Sequence, residues 1–159
     1  MADVIDELLE RNAQARAELM DAVDALTAEQ RRLSWYGGER WSVHDVVAHI
    51  VRWQDGFAHA LEAMARGERP QIPEFEGGGD FDAFNAESAR RAHDRSWDQL
   101  MADARAAREH HEAAIRGLRG TVDLDRIALG RTAYNLADAA HHDHEHVTEI
   151  LEWRRAQGF

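Results

Sequence analysis

Ten histidines occur in this chain, and four of them fall within the six positions of Ala140-His141-His142-Asp143-His144-Glu145-His146-Val147. Histidines four apart on a helix project from one face about one turn apart, so two imidazole nitrogens can reach a single divalent cation. On a helix turning about 100° per residue, Leu136, Ala140, Val147, Ile150 and Leu151 define an apolar stripe, with His142 and His146 along one edge of it. His144 falls on the opposite edge and His141 points toward solvent. Asp143 lies near the centre of the apolar face, where a carboxylate needs a partner.

A third ligand has to come from another element. His49 sits on the edge of a face formed by Val46, Ile50, Trp53 and Phe57, whereas the spacing places His44 and His59 on the solvent side. His49, His142 and His146 would form a three-histidine site with positions left for water or substrate, the ligand pattern of a catalytic metal. The competing reading is that the last-helix pair decorates a solvated face and that His49 is a hydrogen-bonded core residue. Glu145 or Asp143 can orient a ligand or act as base, and the spacing does not rank them. Trp53 and Asn135 lie near the same helical edges and are candidates for lining a substrate pocket. His110-His111 is expected at the surface.

Other chemistries find less support. The chain has no cysteine, and all 19 basic residues are arginine, which excludes protein thiol nucleophiles, Schiff-base lysines and a lysine-bearing phosphate loop. Its serines stand in cap or helix contexts without a nucleophile elbow, and Gly77-Gly78-Gly79 lacks the flanking pattern of a nucleotide fingerprint. A net charge of -11 repels a phosphate backbone and anionic lipid, so neither nucleic acid nor membrane is an expected partner. The acidic, amphipathic start is unlike a secretory signal, and no run of about 18 apolar residues occurs, so a cytoplasmic protein is expected.

The elements that must position these residues read as helices. With 159 residues and two prolines, both in Pro70-Gln71-Ile72-Pro73, long segments are uninterrupted and one domain over 1–159 is expected. Asp3 can cap a helix running to about residue 26, and Thr27-Ala-Glu-Gln30 is a capping box opening a short turn. Ser42 starts a second helix that Gly67 ends. A loop over 68–79, with Phe75 between glutamates, is either a pocket cover or an inert connector. A third helical region begins near Asp80, breaks at the Ser96-Trp-Asp-Gln99 capping box and continues to about Leu118. A connection follows over 119–131, then a last helix from about Thr132 to Ala156. Val122–Ile127 alternates briefly but has nothing to pair with as a strand. The pattern is that of an all-α four-helix bundle with a longer crossover in the middle.

Trp41-Ser-Val-His-Asp-Val-Val-Ala-His49-Ile-Val-Arg-Trp53, together with His142-Asp-His-Glu-His146, resembles the motifs of the DinB-like four-helix-bundle superfamily. Asp80-Phe-Asp-Ala-Phe-Asn85-Ala-Glu, Arg90-Arg91 and Ser96-Trp-Asp-Gln-Leu100 are similar to the branch of the ClbS/DfsB proteins and of mycothiol-dependent maleylpyruvate isomerase N-terminal domains. The resemblance implies a divalent metal (nickel, zinc or iron) on His49, His142 and His146, and it is compatible with a homodimer. It implies either a thiol-dependent transferase or detoxifying enzyme acting on a small electrophile, or a noncatalytic sequestering stress-response protein. With no cysteine in the chain, the thiol would be a cosubstrate such as mycothiol or bacillithiol. The isomerases carry a further C-terminal domain whose counterpart is not in this sequence, so their activity does not transfer.

Overall fold

Local capping chemistry sets most of the helix starts. The structure is a computed structural model that describes residues 3–35, 40–75, 79–122 and 129–159, with side chains in the last stretch from 132 onward. Asp3 accepts from the Ile5 N–H and opens α1, Val4–Asp24. The Thr27 box closes reciprocally, Thr27 N–H to Gln30 Oε1 at 2.8 Å and Gln30 N–H to Thr27 Oγ1 at 3.2 Å, ahead of a 3-10 turn at Gln30–Arg32. Ser42 and Asp45 form the box that starts α2, Val43–Ala65. Asp80 caps α3, Phe81–Ala92, by accepting from the Asp82 and Ala83 N–H groups. Ser96 and Gln99 open α4, Trp97–Gly117. Then come α5, Leu129–Ala137, and α6, Ala139–Gln157, closed by Gly158 in the left-handed region at φ 79°. Each such cap contributes about 0.5–2 kcal/mol.

Six α-helices are thus seen among the described residues. The expected third helical region is α3 and α4, separated just before the Ser96 capping box, and the expected last helix is two helices. Among the described residues no strand is seen; a β-bridge joins Ile72 and Phe75 in the loop after α2. That loop lies tightly on α2 at Gly56, where a Cβ would stand 2.6 Å from Ile72 Cγ2. Gly77, Gly78 and residues 123–127 of the alternating run lie outside the described residues.

α2 packs against α3 and α4, and α1 packs against α6. Two apolar clusters result. One gathers Leu19, Val23, Val43, Val47, Ile50, Leu100, Ile150 and Trp153, the other Ile5, Leu8, Leu61, Met64, Ile115 and Leu118. Between them in sequence on α1, α2, α4 and α6 stand buried polar residues: Asn12, Arg16, Gln54, His111 and Asp143. Arg16 donates to Gln54 Oε1 at 2.5 Å, and its Nε lies 3.3 Å from Asp143 Oδ2. Asp143 therefore has the partner its place on the apolar face demands, although burial still raises its carboxyl pKa.

The break between α5 and α6 has an identifiable cause. In one continuous helix the Leu136 and Ala137 carbonyls would accept from the N–H groups four residues on. Instead the Ala140 N–H donates to Asn12 Oδ1 at 3.0 Å, and Asn12 Nδ2 donates to the Ala137 carbonyl at 2.8 Å. The freed Leu136 carbonyl accepts from His111 Nε2 at 2.8 Å. Asp138, non-helical at ψ 71°, pairs with Arg11 at 3.0 Å. His111 is consequently buried rather than on the surface, and burial lowers its pKa to about 4. His44 also departs from the solvent-side expectation: the turn between α3 and α4 covers it, and its Nε2 donates to the Arg95 carbonyl at 3.0 Å.

Candidate metal centre

Three imidazoles from α2 and α6 converge. His49 Nε2 lies 2.9 Å from His142 Nε2, which lies 3.1 Å from His146 Nε2. Nitrogens bound to one ion at 2.0–2.1 Å with angles between octahedral and tetrahedral are about 2.9–3.4 Å apart, so both spacings suit a shared cation. His49 and His146 are buried and His142 is half-buried. His141 and His144 point outward instead, paired with Glu145 at 3.4 Å and Glu18 at 3.2 Å.

The outer nitrogens determine which way the lone pairs face. The Trp53 indole N–H, which can only donate, meets Asn85 Oδ1 at 2.8 Å, so the Asn85 atom facing it is the amide oxygen. The same oxygen is 3.0 Å from His49 Nδ1, which must therefore carry the proton and leave Nε2 as an inward lone pair. Glu149 Oε2 accepts from His146 Nδ1 at 3.0 Å and fixes that ring in the same tautomer. Burial, reinforced by the two neighbouring imidazoles, lowers the His49 pKa to about 3. Burial likewise lowers His142 and His146 to about 4 each. At neutral pH all three imidazoles are uncharged; facing the lone pairs of His49 and His146, His142 Nε2 carries its proton, which an entering cation would displace from that nitrogen. The donor set fits a divalent transition metal and is a poor one for magnesium or calcium, which take oxygen.

Aromatic residues wall one side of the cluster. The Trp41 and Trp53 ring centroids lie 5.3 and 6.4 Å from that of His49. Phe75, Phe81 and Phe84 gather on Trp53 at 5.2, 5.7 and 4.6 Å. Phe75 comes from the loop after α2, so that segment reaches over Trp53, and Phe81 leaves 59% of its surface open to solvent.

Trp53 thus stands beside the histidines, whereas the Asn135 side chain is exposed on α5. Asp143 is engaged by Arg16, and Glu145 faces solvent beside His141. The groups that orient the imidazoles are Asn85 and Glu149. Glu149 had a local signal, three residues beyond His146. Asn85 had none, since it lies 36 residues from His49 on another helix.

A sequence model of the DinB superfamily matches residues 5–151. No curated protein sequence matches the chain. Among solved structures it is similar to ClbS, a colibactin self-resistance protein crystallised in complex with double-stranded DNA: 15% identity, 92% of this chain and 94% of that chain covered, TM-score 0.68. A likeness at that identity carries the fold alone.

Proposed function

The chain belongs to the DinB superfamily, and from that premise we propose that His49, His142 and His146 hold a divalent metal (nickel, zinc or iron) in an enzyme that transfers a low-molecular-weight thiol to a small electrophile, or otherwise detoxifies it. The observation that carries the reading is the convergence of the three Nε2 atoms, with the outer nitrogens of His49 and His146 held by Asn85 and Glu149. A bound cation would supply Lewis acidity, favouring the thiolate of a thiol cosubstrate and polarising the electrophile.

The chain's own residues account for the rest. Asn85 and Glu149 hold protons on His49 and His146 Nδ1 and aim the ligand lone pairs inward. Phe75 and Phe81, backed by the buried Trp53 and Phe84, offer an apolar surface on which a planar or aliphatic electrophile is desolvated. Because the protein has no cysteine, the attacking sulfur comes from a cosubstrate, mycothiol or bacillithiol being the candidates. The DNA found with ClbS is not carried over, because the net charge of -11 here opposes a phosphate backbone.

The test is elemental analysis of tag-free protein purified without chelator, for the parent and for His49→Ala and His142→Ala, joined to an assay of an aromatic electrophile with each thiol. Metal lost from both variants, and turnover that needs metal and thiol together, supports the reading. Stoichiometric capture of the electrophile without turnover shifts it to a sequestering protein. A parent that takes up no nickel, zinc or iron at this cluster overturns it.

A further inference from the structure

We propose a second divalent-cation site on the outer side of the α2–α4 pair, formed by Asp55 and His59 of α2 and His110 of α4, for a metal of the zinc, copper or nickel class. Asp55 and His59 are four apart on α2 and share a face, with Glu62 one turn further on. His110 of α4 packs against them, its ring centroid 4.7 Å from that of His59 and nearly perpendicular to it at 80°.

Glu62 stands beside both imidazoles. Its Oε1 accepts from His110 Nε2 at 3.0 Å, and its Oε2 is 3.7 Å from His59 Nδ1. The carboxylate thus holds the His110 ring by a hydrogen bond and faces one nitrogen of His59 from beyond hydrogen-bond distance. The opposite nitrogens, His110 Nδ1 and His59 Nε2, both lie on the Asp55 side, 2.8 Å from Asp55 Oδ1 and 3.7 Å from Asp55 Oδ2. One donor atom from each of Asp55, His59 and His110 falls within 4.8 Å of the other two. Two imidazoles and a carboxylate, with a further carboxylate behind the histidines, is a recurring arrangement for a transition-metal ion.

The surroundings suit a cation in exchange with solvent. Asp55 and His59 are about half exposed, leaving room for water to complete the coordination. Asp55 and His110 also line an open groove of about 610 Å³ between α2, α3, α4 and the loop after α2, which provides an entry path. Two nitrogen donors out of three disfavour magnesium and calcium. His59 is ten residues beyond His49 on α2, about 15 Å along the axis, so the two clusters bind separate ions. A cation here links α2 to α4 directly.

Chelator-stripped, tag-free, full-length protein is dialysed against zinc, and bound metal is measured in the parent, His142→Ala, His59→Gln and the double variant. Expected stoichiometries are two, one, one and none. Glu62→Ala weakens the second site about 10–100-fold without touching the first. Zinc raises the melting temperature of His142→Ala and leaves that of the double variant unchanged. The exposure of His59 makes His59→Gln safe for folding, checked by circular dichroism. A His142→Ala protein that binds no zinc, or one whose zinc survives His59→Gln, overturns the proposal. Zinc retained by His142→Ala and lost with His59→Gln supports it even where the three-histidine cluster itself takes up no metal.

Discussion

Asn85→Ala removes a single oxygen that accepts from His49 Nδ1 at 3.0 Å and from Trp53 Nε1 at 2.8 Å. Two separable losses follow. Without the acceptor, His49 is free to place its proton on Nε2 or to turn, and a lost partner of this kind weakens metal binding about 10–100-fold. That corresponds to about 1.4–2.7 kcal/mol of binding free energy. The Trp53 N–H, on a side chain only 6% exposed, is left unpaired at a cost of about 1–3 kcal/mol to folding. Asn85→Asp keeps an oxygen acceptor for both donors, and its charge raises the basicity of the His49 imidazole, so metal affinity is retained or increased. The assay is competition with a chromophoric chelator at fixed pH, alongside urea unfolding of each variant. Alanine binding metal within about twofold of the parent refutes the reasoning, as does aspartate losing metal as badly as alanine.

Asn12→Ala leaves the Ala137 carbonyl and the Ala140 N–H unpaired in the core; urea unfolding should show a loss of about 2–6 kcal/mol from these two groups, and a loss under about 0.5 kcal/mol would mean the break between α5 and α6 does not depend on Asn12. Asp143→Ala strands the buried Arg16 charge and costs about 3–5 kcal/mol, whereas Arg16→Met/Asp143→Leu costs far less than the two single changes summed; an additive double-mutant cycle contradicts the pairing. His44 is buried with its pKa held below the ordinary value of 6.5, chiefly by burial, so the unfolded chain binds its proton more readily. Its contribution to stability is complete above about pH 6.5 and is lost as pH falls below that, at no more than about 1.4 kcal/mol per pH unit. His44→Gln keeps an N–H for the Arg95 carbonyl without titrating, so its urea midpoint should fall less than the parent's between pH 7 and pH 5; equal slopes count against this account.

The helices and their starts were legible because the interactions that set them are local. Asp3, Ser42, Asp80 and Ser96 cap N–H groups two or three residues away, and an apolar residue every third or fourth position decides which face turns inward. The same periodicity put His142 and His146 on one edge and His49 on the inner face of α2, and the motif pointed to a cation between them. What periodicity misjudged was polar burial. His44 and His111 occupy positions that an isolated helix would present to water, and they are buried because the Arg95 and Leu136 carbonyls come to meet them from other segments.

By itself, then, the sequence determined an all-α chain with three histidines placed to converge. Tertiary structure alone decided that the expected last helix is interrupted at Asp138, because the groups that make the interruption tolerable belong to Asn12, more than a hundred residues earlier. It alone brought Asn85 from α3 to His49 and fixed that ring's proton on Nδ1. Helical periodicity is written into neighbouring residues. A hydrogen-bond partner supplied by a distant segment exists only once that segment has packed, and in this protein such partners aim His49 at the shared centre and hold open the turn that precedes the His142–His146 pair.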